Sequence, residues 1–138
     1  MKIHYCNGSE LPAEIAGDAV YHKDPSDLLR VSQFLSLHAP ETPQTHHFLN
    51  SKAISLLPPG AIVVNTARGG LVADDDLIAA LKSGRLAAAG LDVFEGEPKL
   101  HPEYVSLKIH FYCPISAAPR LRPGQQWACW RWTMWTRS

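Results

Sequence analysis

Net charge is the first thing this sequence lacks: thirteen acidic residues balance thirteen basic ones over 138 residues. A chain without a charge excess has no bulk attraction for nucleic acid or a membrane surface, so a small molecule is the expected partner. Cysteine is scarce and odd in number. Cys6, Cys113 and Cys129 show no metal-ligand spacing, which argues against a disulfide framework or a zinc module and for a reducing compartment. The opening MKIHYCNGSE lacks the apolar run of a signal peptide, and no later run is long enough to span a bilayer. The expected location is cytoplasmic. Internal repeats and low-complexity segments are also missing from the first hundred residues. A chain of 138 residues buries one modest core, so the expectation is one domain or part of one.

What the sequence does contain is an alternation of short apolar runs with helical patterns, the βαβ rhythm of a parallel sheet covered on both faces. KIHYC (Lys2 to Cys6) reads as a strand and AVYH as a second, followed by a short helix SDLLRVS capped by Ser26 or Asp27. QFLSLHA reads as a buried strand. NSKAISLL has Asn50 or Ser51 at its N-cap, helical spacing of Ile54 and Leu57, and a stop at Pro58, Pro59 and Gly60. AIVVNTA is the clearest strand, apolar and β-branched as a central parallel strand is. ADDDLIAALKSGR places three aspartates in a first helical turn, Leu77, Ile78 and Leu81 on one face, and Gly84 as a C-terminal cap. LAAAGLDVF completes the series as another buried strand.

Open parallel sheets bind ligands at the carboxyl ends of their strands. There VVNTARGG offers Asn65, Thr66 and Arg68, with Gly69 and Gly70 permitting close backbone approach, and GLDVFEGEP offers Asp92, Glu95 and Glu97. One fixed cation beside several carboxylates can grip an anionic substrate and position a proton donor. The same residues also suit a purely structural ion pair between Arg68 and one of the acids.

The stretches LSLHAPETPQTHHFLN and LLPPGAIVVNTARGGLVADDDLIAALKSGRLAAAGLDVFEGEP together resemble the nucleotide-binding domain of the D-isomer-specific 2-hydroxyacid dehydrogenases, nearest to the glyoxylate and hydroxypyruvate reductase branch. The likeness runs from about Lys2 to about Leu107. It implies a partial Rossmann-type α/β fold and hydride transfer between NAD or NADP and a small 2-hydroxy or 2-oxo acid. By this resemblance Arg68 grips the substrate's carboxylate and keto oxygen, and Glu97 hydrogen-bonds a catalytic histidine. Asp92 holds the nicotinamide end of the cofactor, and His38, Ala39, Pro40, Asn65, Thr66 and Ala67 line its channel, largely through backbone groups. An Arg fork matches a 2-oxo acid through two oxygens, and a carboxylate beside a histidine favours its protonated form. Intact members of the family are expected to be homodimers.

Two departures qualify the resemblance. Family members open this domain with a strand, a G-x-G-x-x-G turn and a helix that holds the pyrophosphate. This chain has no such turn and begins in what reads as the second strand, so a fold lacking its first βα unit is expected. At the end of that strand stand Cys6, Asn7, Gly8 and Ser9 in place of an acid for the ribose, which permits NADP, although no arginine lies near. The second departure is the tail. The family continues into a P-H-x-G-S-A-T segment carrying the histidine, where this chain has Pro114, Ile115, Ser116, Ala117, Ala118 and Pro119. Synonymous codons for Pro114 to Trp135 exist that, read two bases later, encode H-I-G-S-A-T and the helix after it. We therefore read residues 1–107 as the C-terminal portion of an NAD(P)-binding domain and 108–138 as an irregular, out-of-frame tail. The alternative for the whole chain is a non-catalytic remnant or an association module without activity of its own.

Other features have milder readings. Trp127, Trp130, Arg131, Trp132 and Trp135 suit a membrane-surface segment, but the frame account explains both what is present and what is missing. Adjacent His46 and His47 suggest a metal only if the backbone bends, and solvated side chains are expected. His4, His22, His101 and His110 have no partner in a recognisable spacing. Cys6 is expected to be inert.

Overall fold

The computed structural model describes residues 2–97, 99, 101–107 and 110–112. The tryptophan-rich stretch, and with it the expectation of an out-of-frame tail, lies outside the described residues.

Two parallel sheets are present. Strand β1 (His4–Tyr5) pairs with β2 (Val20–Tyr21) in the smaller one. The larger holds β3 (Phe34–Leu37), β4 (Ala61–Asn65), β5 (Leu86–Leu91) and β6 (His110–Tyr112), side by side in sequence order and all parallel. The expected single sheet is thus divided. A cleft of about 900 Å³, lined by Tyr5 and Cys6 on one side and Phe34 and Leu35 on the other, separates the two.

The connections are helical. Helix α1 (Ala13–Ala16) is one turn that sequence reading missed; α2 spans Pro25–Val31, α3 Ser51–Leu56 and α4 Asp74–Lys82. The N-cap of α2 is Asp24, in place of the expected Ser26 or Asp27. Pro25 occupies the first helical position, and the Asp24 carboxylate accepts the Ser26 N–H at 2.8 Å. That bond holds the Asp24 pKa below the usual carboxylate value. Asn50 caps α3, accepting from Lys52 N and Ala53 N at 3.1 and 3.2 Å. Helix α4 ends as expected, with Gly84 at φ +72° donating its N–H to the Leu81 carbonyl.

The larger sheet is covered on one face by the described residues, not on both. Adjacent parallel strands joined in sequence order by right-handed crossovers put every connecting helix on the same side. Accordingly α2 packs on α3 and α3 on α4. Leu35, Val63 and Ala89, register partners on three strands, are buried beneath that layer, as are Leu37, Asn65 and Leu91. Phe34, one position out of phase, is 65% exposed, and Ile62 and Val64 are half-buried. From the helices, Ile54, Leu57, Leu77, Ile78 and Leu81 complete the core. This one-sided packing leaves the carboxyl ends of β3, β4 and β5 along one rim, and the loops that follow them build the site.

Candidate active site

The loop after β4 is organised by Asn65, whose side chain is fully buried at the end of an otherwise apolar strand. Its Oδ1 accepts the Ala67 N–H at 3.1 Å, and its Nδ2 donates to the Arg68 carbonyl at 2.9 Å. Its own carbonyl accepts the Asp92 N–H at 3.0 Å, which ties the end of β4 to the end of β5. The expected channel residue is therefore an internal brace. Both of its side-chain groups serve the turn, as burial of an amide requires.

Arg68 follows on this brace with an extended backbone and an exposed side chain. Its Nη1 donates to the Ala67 carbonyl at 2.7 Å. Among the described residues it forms no ion pair, so the structural pairing with an acid is not what is found. The acids have other partners. Glu97 Oε1 accepts the Phe94 N–H at 2.9 Å, closing its own turn, and Glu95 faces His46 and His47. Asp92 sits half-buried where β5 ends.

Gly69 then brings the β4 and β5 loops into direct backbone contact, and Gly70 sits against the Glu41 carboxylate of the loop after β3. A Cβ on Gly69 would lie 2.1 Å from the Phe94 carbonyl carbon, and one on Gly70 would lie 2.2 Å from Glu41 Oε1. Only glycine fits at Gly69, where the obstacle is backbone; at Gly70 the obstacle is the end of the Glu41 side chain, which would have to swing away. The two residues have ordinary backbone angles, so closeness of approach, not conformational freedom, is the requirement.

The third wall comes from the loop after β3. His38, Ala39 and Pro40 are exposed there, with Ser36 Oγ 2.8 Å from His38 Nε2. Thr45 Oγ1 donates to the Pro40 carbonyl at 2.7 Å, folding the loop back. His47 N–H donates to the Gly70 carbonyl at 2.7 Å and Leu49 N–H to that of Leu71 at 2.9 Å, fastening it to the β4 loop. Together His38, Ala39, Pro40, Thr66, Ala67 and Arg68 line an open groove of about 950 Å³. Glu41, Thr42, Pro43 and His46 line it too. Sequence reasoning assigned no groove role to these four, which lie four to nine residues past the end of β3; His46 stands out in the sequence only through its adjacency to His47. Asn65, Asp92 and Glu97 are not on the groove surface.

Several histidines differ from expectation. His46 and His47 do not point apart: their rings stack at 3.9 Å, because His47 adopts φ +52°, alone in the left-handed region among the described non-glycine residues. His4 Nδ1 lies 2.8 Å from His22 Nε2, a contact produced by the parallel pairing of β1 with β2. His101 Nε2 lies 3.2 Å from Asp75 Oδ1. Cys6 is half-buried, and burial, followed by the nearby Asp24 carboxylate, raises its thiol pKa. Lys23, whose carbonyl lies 4.0 Å from Cys6 Sγ, lines the cleft beside Asn7 and Gly8 and brings a cation to that strand end.

The geometry has close counterparts. Over 111 residues the chain is 52% identical to glycerate dehydrogenase of Hyphomicrobium methylovorum, covering 79% of this chain and 34% of that protein. It is 43% identical over 108 residues to glyoxylate reductase of Thermococcus litoralis, covering 78% and 33%. The crystal structure of a D-isomer specific 2-hydroxyacid dehydrogenase from Polaromonas superposes with a TM-score of 0.80 at 41% identity, over 86% of this chain and 38% of that one. The chain thus spans about a third of the length of the curated relatives it matches. No described helix is long and apolar enough to cross a membrane. Residues 1–114 match the family model described as D-isomer specific 2-hydroxyacid dehydrogenase, NAD binding domain, and the chain belongs to that family.

Proposed function

We propose that the groove between the β3 and β4 loops takes the nicotinamide end of NAD or NADP together with a small 2-oxo or 2-hydroxy acid such as glyoxylate or hydroxypyruvate. The observation that carries this reading is Arg68: an exposed guanidinium on a buried brace, at the edge of a strand-end groove and without an acidic partner among the described residues. The groove's volume of about 950 Å³ lies within the range of small-molecule sites. Its walls fit one end of a dinucleotide. The phosphates would need a glycine-rich turn, and no G-x-G-x-x-G occurs in this sequence.

When bound, the cofactor supplies hydride donor and acceptor chemistry at its nicotinamide ring. The chain's own residues bind and orient. Arg68 presents two parallel N–H groups to a carboxylate and its neighbouring keto oxygen, which fixes the acid and stabilises charge developing on that oxygen. His38, Ala39, Pro40, Thr66 and Ala67 wall the ring side of the groove. Asp92, tied through its backbone to Asn65 and set off the groove surface, is assigned the amide end of the nicotinamide by the family resemblance alone. Glu97 holds and charges the histidine that serves as general acid and base; its turn through Phe94 N–H keeps one carboxylate oxygen occupied and leaves the other for that role. In our reading the histidine belongs to the frame that 108–138 has left, so this chain by itself is a binding unit. Intact members of the family are taken, on this reading, to be homodimeric oxidoreductases.

A chimera tests the reading. Residues 2–107 are exchanged for the aligned segment of the Hyphomicrobium methylovorum glycerate dehydrogenase, whose remaining part completes the molecule. Hydroxypyruvate- or glyoxylate-dependent oxidation of NADH or NADPH is expected, and Arg68→Ala lowers kcat/KM by about a hundredfold or more. A folded chimera that binds cofactor but is indifferent to Arg68→Ala refutes the assignment.

A further inference from the structure

His46, His47 and Glu95 converge from two loops 48 residues apart in the chain. Glu95 Oε2 lies 2.8 Å from His47 Nε2, and Glu95 Oε1 lies 3.7 Å from His46 Nε2. One ligand atom from each of the three lies within 4.8 Å of the others. Tetrahedral zinc bonds of about 2.0–2.2 Å to nitrogen and oxygen separate ligand atoms by roughly 3.3 Å, a value between the two observed spacings. The rings need only fan out from their 23° stack to aim both nitrogens at one ion.

Three features preserve this arrangement. His47 holds a left-handed backbone that an ordinary loop residue avoids, and without it neighbouring side chains diverge. The same backbone is fastened by His47 N–H to the Gly70 carbonyl and by Asn50 Nδ2 to the His47 carbonyl. The far nitrogen of His46, Nδ1, lies 3.4 Å from Glu41 Oε1, the carboxylate–imidazole pairing that orients metal-bound histidines. That carboxylate in turn rests where a Cβ of Gly70 would otherwise be.

We propose that His46, His47 and Glu95 form a site for a divalent transition-metal ion of the zinc or cobalt class, with Glu41 as positioning residue for His46. Two imidazoles and one carboxylate are borderline ligands that suit these ions and disfavour magnesium and calcium, which prefer all-oxygen shells. Three protein ligands leave a fourth position open. Because His46 also lines the Arg68 groove, the ion sits in the groove's wall. The site does not depend on the dehydrogenase reading, since none of its ligands has a role there.

Zn²⁺ titration of the full chain with a competing indicator, together with Co²⁺ absorption spectra, tests the proposal. One ion per chain is expected. His46→Ala, Glu95→Gln and His47→Asn should each weaken it at least about tenfold; asparagine tolerates the left-handed backbone, and far-UV circular dichroism verifies the fold of each variant. Glu41→Gln should weaken binding by about tenfold while leaving the Co²⁺ band positions unchanged, as befits a group outside the coordination shell. His22→Ala, which breaks the other histidine pair, should change nothing. No site tighter than about 1 mM, equal affinity in the ligand variants, or a loss confined to His22→Ala would overturn the proposal.

Discussion

The buried Asn65 side chain donates to the carbonyl of Arg68, three residues ahead, at 2.9 Å, so the residue that faces solvent is positioned by one that never reaches it. Removing the amide leaves the Ala67 N–H without its acceptor and strips the Arg68 carbonyl of one of its two donors, the other being the Leu71 N–H at 3.3 Å. Asn65→Ala should lower stability by roughly 1–3 kcal/mol, read as a shift in urea midpoint at constant slope. Asn65→Asp should do no better, because it turns a second acceptor oxygen toward the Arg68 carbonyl and buries a charge. An unchanged midpoint in both would show that the brace is dispensable.

Gly69 separates closeness of approach from mere presence in a loop. Gly69→Ala drives a methyl group to 2.1 Å from the Phe94 carbonyl carbon, and backbone on both sides must move. The expected loss is about 1–3 kcal/mol, with Arg68 displaced as well. Gly8→Ala serves as the control, since nothing lies within 4 Å of its added Cβ. Equal melting temperatures for the two variants would contradict the packing described.

Asp74 and Tyr104 give a pH signature. The Tyr104 hydroxyl donates to Asp74 Oδ1 at 2.7 Å, and burial, then that bond, then the Asp74 charge raise the tyrosine pKa far above its ordinary value. Burial is also the main influence on Asp74 and raises its carboxyl above the ordinary 3.8, partly opposed by the Tyr104 bond. A raised folded-state value means the native state binds more protons than the unfolded one, so this group's contribution falls as pH rises from 3.8 through the raised value. Asp74→Asn keeps an acceptor for Tyr104 and removes the titration. The stability of the variant relative to the parent should therefore climb across that acid range and level off above it, as denaturant midpoints at several pH values would reveal. A difference that is flat with pH would contradict the shift.

The isolated chain should show no appreciable turnover of glyoxylate with NADH or NADPH. On the proposed reading residues 108–138 do not supply the catalytic histidine, and loss of a general acid and base alone is worth about 10²–10⁴ in rate. Turnover that Arg68→Ala abolishes would run against this expectation.

The nucleotide sequence downstream of the Leu107 codon should, in a second frame, encode a strand and turn like L-P-H-I-G-S-A-T. Restoring that frame within an otherwise complete gene should yield an enzyme that loses most of its rate when the restored histidine becomes alanine. DNA with no such frame would return the tryptophan and arginine tail to a membrane or partner explanation.

Local chemistry carried most of the fold. Asn50 before the helical spacing of Ile54 and Leu57, the Asp74 to Asp76 turn and Gly84 after Lys82 each describe a helix end with no knowledge of neighbours, and the structure has α3 and α4 there. The AIVVN run likewise stands as strand β4. The motif around Arg68 named the family for the same reason, since its residues are contiguous. What the sequence could not determine was anything that depends on where two distant segments meet. The one-sided helix layer follows from strand order and crossover handedness, and a run of apolar residues does not reveal on which side its helices land. Glu95 reads as one more acid near Arg68, yet it faces His46 and His47, because Gly69 lets the β5 loop close on the β4 loop and the His47 backbone turns both rings toward it. Burial, too, is a property of the assembled sheet: Asn65 looks like a ligand-facing polar residue at a strand end, and only the packing of β4 between β3 and β5 makes it internal.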